Sequence, residues 1–345
     1  MGRIIDRAVT LYRRNFLTLA GIIALMQIPV AIVQIGINVA LAYSGVTIVA
    51  DPFNPPDTPT GLPAGFGVYY AANLAITVLS TFLIGGIATA ALAKASASSY
   101  LGDELDIIGA YQAMGSDWVK VIGGVLAVGI TGVAAFLFTL VPCVGTLMGS
   151  GILFFLAVVI NPLVPIIIVL EGRDPFQAVR RAWELARRRF WWLLGFALLV
   201  MLFARLALLG PINLAASAFN LALTSGALGV TDPATLQAVS QIVSSVFVAF
   251  TSVFFLPLEI TAMLLAYFDI RIRTEGWDIS LMANEEATTP QEKTRLLPAW
   301  APARLIEWEE AGYFTLITIG FFGVVIGLYL ALLGVILALV SSFAF

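Results

Sequence analysis

The 345-residue chain contains no histidine and a single cysteine, Cys143. Without histidine it lacks the side chain that most often serves as a general base near neutral pH and most often ligates transition metals. One cysteine excludes an intrachain disulfide and a thiolate zinc cluster. Charge is scarce as well: 11% of the residues are Asp, Glu, Lys or Arg, against about 25% in soluble domains. Hydrophobic residues make up 60%, and the mean hydropathy is +0.98. There is no GxxxxGK[ST] loop, no GxSxG elbow and no carboxylate cluster in a soluble segment. The composition therefore describes a polytopic membrane protein and predicts no enzyme activity, catalytic residue, metal or cofactor.

What the chain does have is long apolar runs. A stretch of about 20 such residues crosses the hydrocarbon core, and seven qualify: 16–43, 67–93, 119–141, 147–170, 190–210 (continuing toward 224), 236–268 and 312–342. Seventeen of the eighteen Lys and Arg residues, all but Arg205, fall on one side of the membrane that these runs define, and loops 44–66, 142–146 and 225–235 hold none. By the positive-inside rule the N-terminus is cytoplasmic, and seven spans place the C-terminus outside. The expected location is the cell membrane. Loop 44–66, with Pro52, Pro55, Pro56, Pro59 and Pro63, reads as a stiff external connector.

The sequence repeats itself. Arg7–Gly21 aligns without gaps on Arg181–Gly195, and Ala110–Gly123 is a weaker third copy. In each, an alanine (Ala8, Ala110, Ala182) precedes an aromatic (Phe16, Trp118, Phe190) by eight residues, and such self-similarity signals a repeated unit. The expected fold is an all-α membrane bundle: three units of interfacial amphipathic helix plus transmembrane hairpin, with a seventh C-terminal span. In the third copy Asp174, Pro175 and Gln177 suit an N-cap, N1 and capping box. Phe176, Val179, Trp183, Ala186 and Phe190 share one helical face, while Arg180, Arg181, Glu184, Arg187 and Arg188 share the other, with Glu184 and Arg188 at i,i+4. Such a helix lies in the membrane interface. Arg180, Arg181, Arg187, Arg188 and Arg189, beside Trp191, form a basic collar for which two roles are expected: topology and anchoring, or selective binding of anionic lipid headgroups.

Segment Val169–Gly195 (VLEGRDPFQAVRRAWELARRRFWWLLG), segment Leu264–Ser280 (LLAYFDIRIRTEGWDIS) and the opening IIDRAVTLYRRNF resemble the membrane domain associated with glycerophosphoryl diester phosphodiesterases and its stand-alone relatives, over residues 1–282. The resemblance implies a six-span core, internal amphipathic helices and a role near lipids. It carries over no phosphodiesterase activity, because that resides in a separate soluble barrel with histidine and acidic metal ligands that this chain cannot supply.

Two ionisable residues fall inside apolar runs. Glu259 precedes Asp269 by ten residues, hence by about 15 Å, and Arg205 lies fifteen residues beyond Phe190. An intramembrane charge is a functional candidate by default, usually paired. A Glu259–Arg205 pair, a protonated Glu259 bonded to freed backbone, and a proton or substrate site are the readings open. Asn161, Pro162 and Pro165 interrupt the fourth run and Pro257 the sixth, either as static kinks or as breaks that line a cavity.

Residues 283–311 read as a cytoplasmic linker. In 312–345, Gly320, Gly323, Gly327 and Gly334 share one face, and Gly323-xxx-Gly327 is a close-packing pattern. That face is expected to pack on the chain's own core, or on a protein partner or second copy. Membrane lipid, chiefly anionic, is the other expected partner, and nucleic acid is not. The leading functional expectation is a non-enzymatic, lipid-associated scaffold or accessory subunit. The alternative is a small-solute or lipid transporter with a site near Glu259 and the proline-broken spans.

Overall fold

The computed structural model describes residues 1–43, 66–103, 105–203, 210–225, 229, 232–283 and 308–343, and every regular element among them is helical. In chain order these are α1 (Gly2–Arg14), α2 (Phe16–Tyr43), α3 (Gly67–Leu101), α4 (Ile107–Gln112), α5 (Asp117–Thr139) and α6 (Val144–Glu171). Then follow α7 (Pro175–Arg188), α8 (Phe190–Phe203), α9 (Gly210–Thr224), α10 (Pro233–Glu275), α11 (Trp277–Ala283) and α12 (Trp308–Phe343). Six are long and apolar enough to cross a membrane: α2, α3, α5, α6, α10 and the Glu310–Gly327 part of α12. Each overlaps one of the seven runs read from sequence. Over the remaining run, α8 has only 14 residues, about 21 Å of rise against a core of about 30 Å. Residues 204–209, with Arg205, lie outside the described residues, as do the proline-rich connector and most of the 283–311 linker.

The centre of the bundle is α6. It buries 61% of its apolar window, whereas no other span exceeds 39%, and Leu163 through Glu171 are buried without interruption. A helix apolar all round must be surrounded, and α3, α5, α7 and α12 surround it. The second half of α3 is equally enclosed, Thr89 through Ser98. Its Ala- and Ser-rich sequence lets neighbouring backbones close in, and Ser96 Oγ meets Thr261 Oγ1 of α10 at 3.2 Å.

Short helices lead into three of the spans or apolar helices. α1 and α7 each stop one residue before an aromatic, at Asn15 (φ −113°) and Arg189 (φ −139°), and Asn15 Nδ2 fixes its corner by donating to Ser99 Oγ at 2.8 Å. Ala8, Ala110 and Ala182, the alanines in register in the sequence, are all fully buried. They mark where each short helix meets the bundle. α4 has only six residues. It is held to α2 by Tyr111, whose hydroxyl donates to the Ile22 carbonyl at 2.7 Å.

Two details of α7 differ from expectation. Asp174 occupies the N-cap position but its side chain makes no capping bond. Only part of the charged face looks outward: Arg188 is exposed, but Arg181 and Glu184 are buried with Ala178, Ala182 and Leu185, while the apolar Phe176 is exposed. Glu184 pairs with Arg180 (Nε–Oε1 3.1 Å), and Arg188 reaches Glu275 (3.2 Å) rather than Glu184. The reason is tertiary. The ends of α6 and α10 bring carboxylates against that face, and no local pattern in α7 records them.

Prolines leave a visible trace in α6. Pro162 has no N–H to offer the Val158 carbonyl, and the turn before it, Leu156–Ile160, widens to π geometry. A second π stretch, Thr81–Ala88, lies in α3. There Thr89 Oγ1 donates to the Ile84 carbonyl at 2.9 Å, satisfying an oxygen five residues back. Single π turns inside α-helices are frequent at functional sites.

Candidate functional site

Both π stretches border one partly open cavity of about 630 Å³, lined by α3, α6, α8 and α10. Helical spacing on α10 brings Thr251, Ser252, Phe255, Leu256 and Glu259 to one face, and all five line it. α6 contributes Asn161 and Pro162, and α3 contributes Gly85 and Thr89. Glu259 and Asn161, singled out in the sequence from separate runs, thus share a site with the proline break. Thr89, Thr251 and Ser252 were not foreseen. In sequence they look like isolated hydroxyls in apolar helices, although their i−8 and i−7 spacing from Glu259 would have found two of them.

The hydroxyl hydrogens are committed to the helices' own backbones. Thr251 Oγ1 donates to Phe247 O at 2.8 Å, Ser252 Oγ to Val248 O at 2.9 Å, and Thr89 to Ile84 O. What these side chains present to the cavity is therefore oxygen lone pairs. With the Glu259 carboxylate and the Asn161 amide, the lining suits a ligand that donates hydrogen bonds or carries positive charge. The rest of the wall is apolar, including Ala197, Val200, Met201 and Met263. A few convergent polar groups on such a wall are the usual chemistry of a ligand site.

The arginine collar has a different structure. Every candidate cation has a carboxylate partner: Arg180 has Glu184, Arg181 has Glu171 and Glu275, Arg187 has Glu310, Arg188 has Glu275, and Arg189 has Asp269 (3.5 Å). Arg181 is the hub, with a side chain 2% exposed. Its Nη1 and Nη2 donate to the two Glu275 oxygens at 2.7 Å each, and Nε donates to Glu171 at 3.1 and 3.3 Å. Tyr267 donates to Glu171 Oε1 at 2.8 Å, and Arg271 donates to the Tyr267 hydroxyl at 3.1 Å. Burial works to lower the pKa of Arg181, but the hydrogen bonds it donates to Glu275 and the charges of Glu171 and Glu275 outweigh it and raise the value. Arg271 also lies over the Trp277 ring at 5.1 Å, and Arg189 over Trp192 at 5.0 Å. Trp191 is half exposed and packs edge-on to Phe190 and Tyr313.

Sequence reasoning missed Glu171, Tyr267, Glu275 and Glu310. A signal existed for two of them. Glu171-Gly172 and Glu275-Gly276 each end a long helix on a glycine in the left-handed region (φ +70° and +62°), so both carboxylates stand at the same kind of helix end. Two of the three sequence segments that carry the resemblance noted above, Val169–Gly195 and Leu264–Ser280, meet through this cluster. At the other edge of α7, Phe155, Trp183, Phe190, Tyr313 and Phe314 form an aromatic knot, with Phe155 stacked on Phe190 at 4.6 Å.

Among the described residues, nothing lies within 4 Å of a Cβ built at Gly320, Gly323, Gly327 or Gly334. α12 docks instead through the opposite side of the helix, by Glu310, Phe314 and Thr318, whose hydroxyl donates to the Leu147 carbonyl. Among the described residues no group of three or more metal-ligating side chains occurs. Comparisons with family models, curated proteins and solved structures found no match.

Proposed function

We propose that this integral membrane protein binds and transports a small cationic or hydrogen-bond-donating solute, with Glu259 as the group that receives it. The observation carrying this reading is the convergence of Glu259, Asn161 and three backbone-bonded hydroxyls on one cavity flanked by two π stretches. Helices broken at a polar site near mid-membrane are how many transporters expose coordinating oxygen. In this reading the core comprises three units of short helix plus hairpin, the arginine-rich end faces the cytoplasm, and the ion-pair cluster holds α6, α7 and α10 in register around the cavity. In liposomes loaded with a pH-sensitive dye, external methylammonium or a pH step should produce a flux that Glu259→Gln abolishes while the melting temperature is kept. Absence of flux in the parent protein, or full flux in the variant, would remove the proposal.

A second reading, an accessory subunit or scaffold, is favoured by the glycine face of α12, which no described residue covers. Helices with such faces associate through close backbone contact. Deleting 312–345 should then reduce the particle size in mild detergent by more than the mass of the segment removed. An unchanged association state would leave the glycines facing lipid.

A further inference from the structure

Between α5, α6, α7 and α12 lies a second hollow of about 480 Å³, within the ~300–1,000 Å³ of ligand sites. One wall is a single face of α5, from Thr131 through Ala134 to Phe138, climbing about 10 Å. Thr131 donates its proton to the Ala127 carbonyl, so this wall is aliphatic and aromatic in effect. Phe176 and Trp183 of α7 face it. Phe176 and Ala134 are exposed, and the hollow therefore opens sideways, toward lipid rather than along the bundle axis. One charged side chain lines it, Arg180. It belongs to the arginine-rich end, is 40% exposed, and is held by Glu184.

We infer that this hollow seats one anionic phospholipid, with an acyl chain against the α5 face and the phosphate on Arg180. An apolar slot with a guanidinium at one end has the polarity of an amphiphile. A water-soluble anion gains nothing from the slot, and an uncharged lipid gains nothing from the arginine. Guanidinium has five donors in a planar fork, enough to serve a carboxylate and a phosphate together. Glu184 fixes the fork while offsetting part of its charge, so the preference for an anionic headgroup is modest in size. The seat is independent of the Glu259 cavity, which lies on the other side of α6.

The test uses the full chain in nanodiscs of equimolar phosphatidylglycerol and phosphatidylcholine, transferred to detergent and weighed by native mass spectrometry. One retained phosphatidylglycerol is expected, preferred by at most about fivefold, the factor one unpaired basic side chain supplies at an anionic surface. Arg180→Gln should equalise the two lipids. Ala134→Phe fills the hollow from an exposed position and disturbs no buried packing, so it should abolish the retained lipid even if Arg180→Gln does not fold. Added inorganic phosphate should displace nothing. Equal retention of both lipids by the parent, undiminished phosphatidylglycerol in Ala134→Phe, or displacement by phosphate would each overturn the assignment.

Discussion

Arg181→Ala should lower the stability of the protein by about 3–5 kcal/mol, the usual cost of removing one partner from a buried ion cluster. The guanidinium is 2% exposed and joins two carboxylates from different helices, Glu171 at the end of α6 and Glu275 at the end of α10. Without it, two buried carboxylates confront each other beside Tyr267 with their main counter-charge gone. The penalty is thus mostly that of the groups left behind rather than the net worth of the ion pairs. That distinction can be measured. Glu275→Gln in the Arg181→Ala background should recover part of the loss, because it removes one stranded charge, and the double-mutant cycle should be strongly non-additive. Arg181→Lys should remain well below the parent, since an ammonium cannot reproduce two parallel bonds to Glu275 while reaching Glu171. Thermal unfolding in detergent reads all four variants. A loss below about 1 kcal/mol for Arg181→Ala, typical of exposed pairs, would mean that the cluster is solvated.

The same cluster shows where sequence reasoning stops. Apolar length depends only on local residues, so it found six spans, although their ends differ by up to fifteen residues from the helices observed. The partners of the collar arginines are not local. Glu275 is 94 positions from Arg181 and Glu310 is 123 from Arg187, and nothing in an amphipathic helix says whether its charged face meets headgroups or other helix ends. The α7 stripe was legible as a stripe, but its burial was decided by α6, α10 and α12. For the cavity the balance is more favourable. Glu259, Asn161 and Pro162 stood out because polar and proline residues are conspicuous in apolar runs, and what sequence could not supply was that they face one another. The π stretch at Thr81–Ala88 had no sequence signal beyond Gly85-Gly86, since helix widening is settled by how the packed neighbours fit.

Gly151→Val should cost about 3 kcal/mol, the upper part of the range for overpacking, whereas Gly323→Val should cost nothing measurable. Both glycines lie in apolar helices, and of the two it is Gly323, in its GxxxG pattern, that the sequence marks for close packing. A Cβ at Gly151 would sit 2.1 Å from the carbonyl oxygen of Phe314 and 2.9 Å from its Cα. These are backbone atoms, which cannot step aside as a side chain can, so α12 as a whole must move away from α6. That displacement pulls Phe314 from the aromatic knot, breaks the Thr318 bond to Leu147, and draws Glu310 from Arg187. Three contacts on successive turns of α12 are lost together, and the loss is cooperative. Gly323 has open space over its Cα, so a valine there meets only whatever lies outside this chain. Paired melts in detergent therefore separate the two faces of α12. A destabilised Gly151→Val beside an unperturbed Gly323→Val assigns the helix's attachment to the α6 side. If Gly323→Val also shifts the particle to lower mass without changing its melting temperature, the glycine face is an intermolecular contact. Equal melting temperatures for Gly151→Val and the parent would show that α12 is not held against α6 at Phe314.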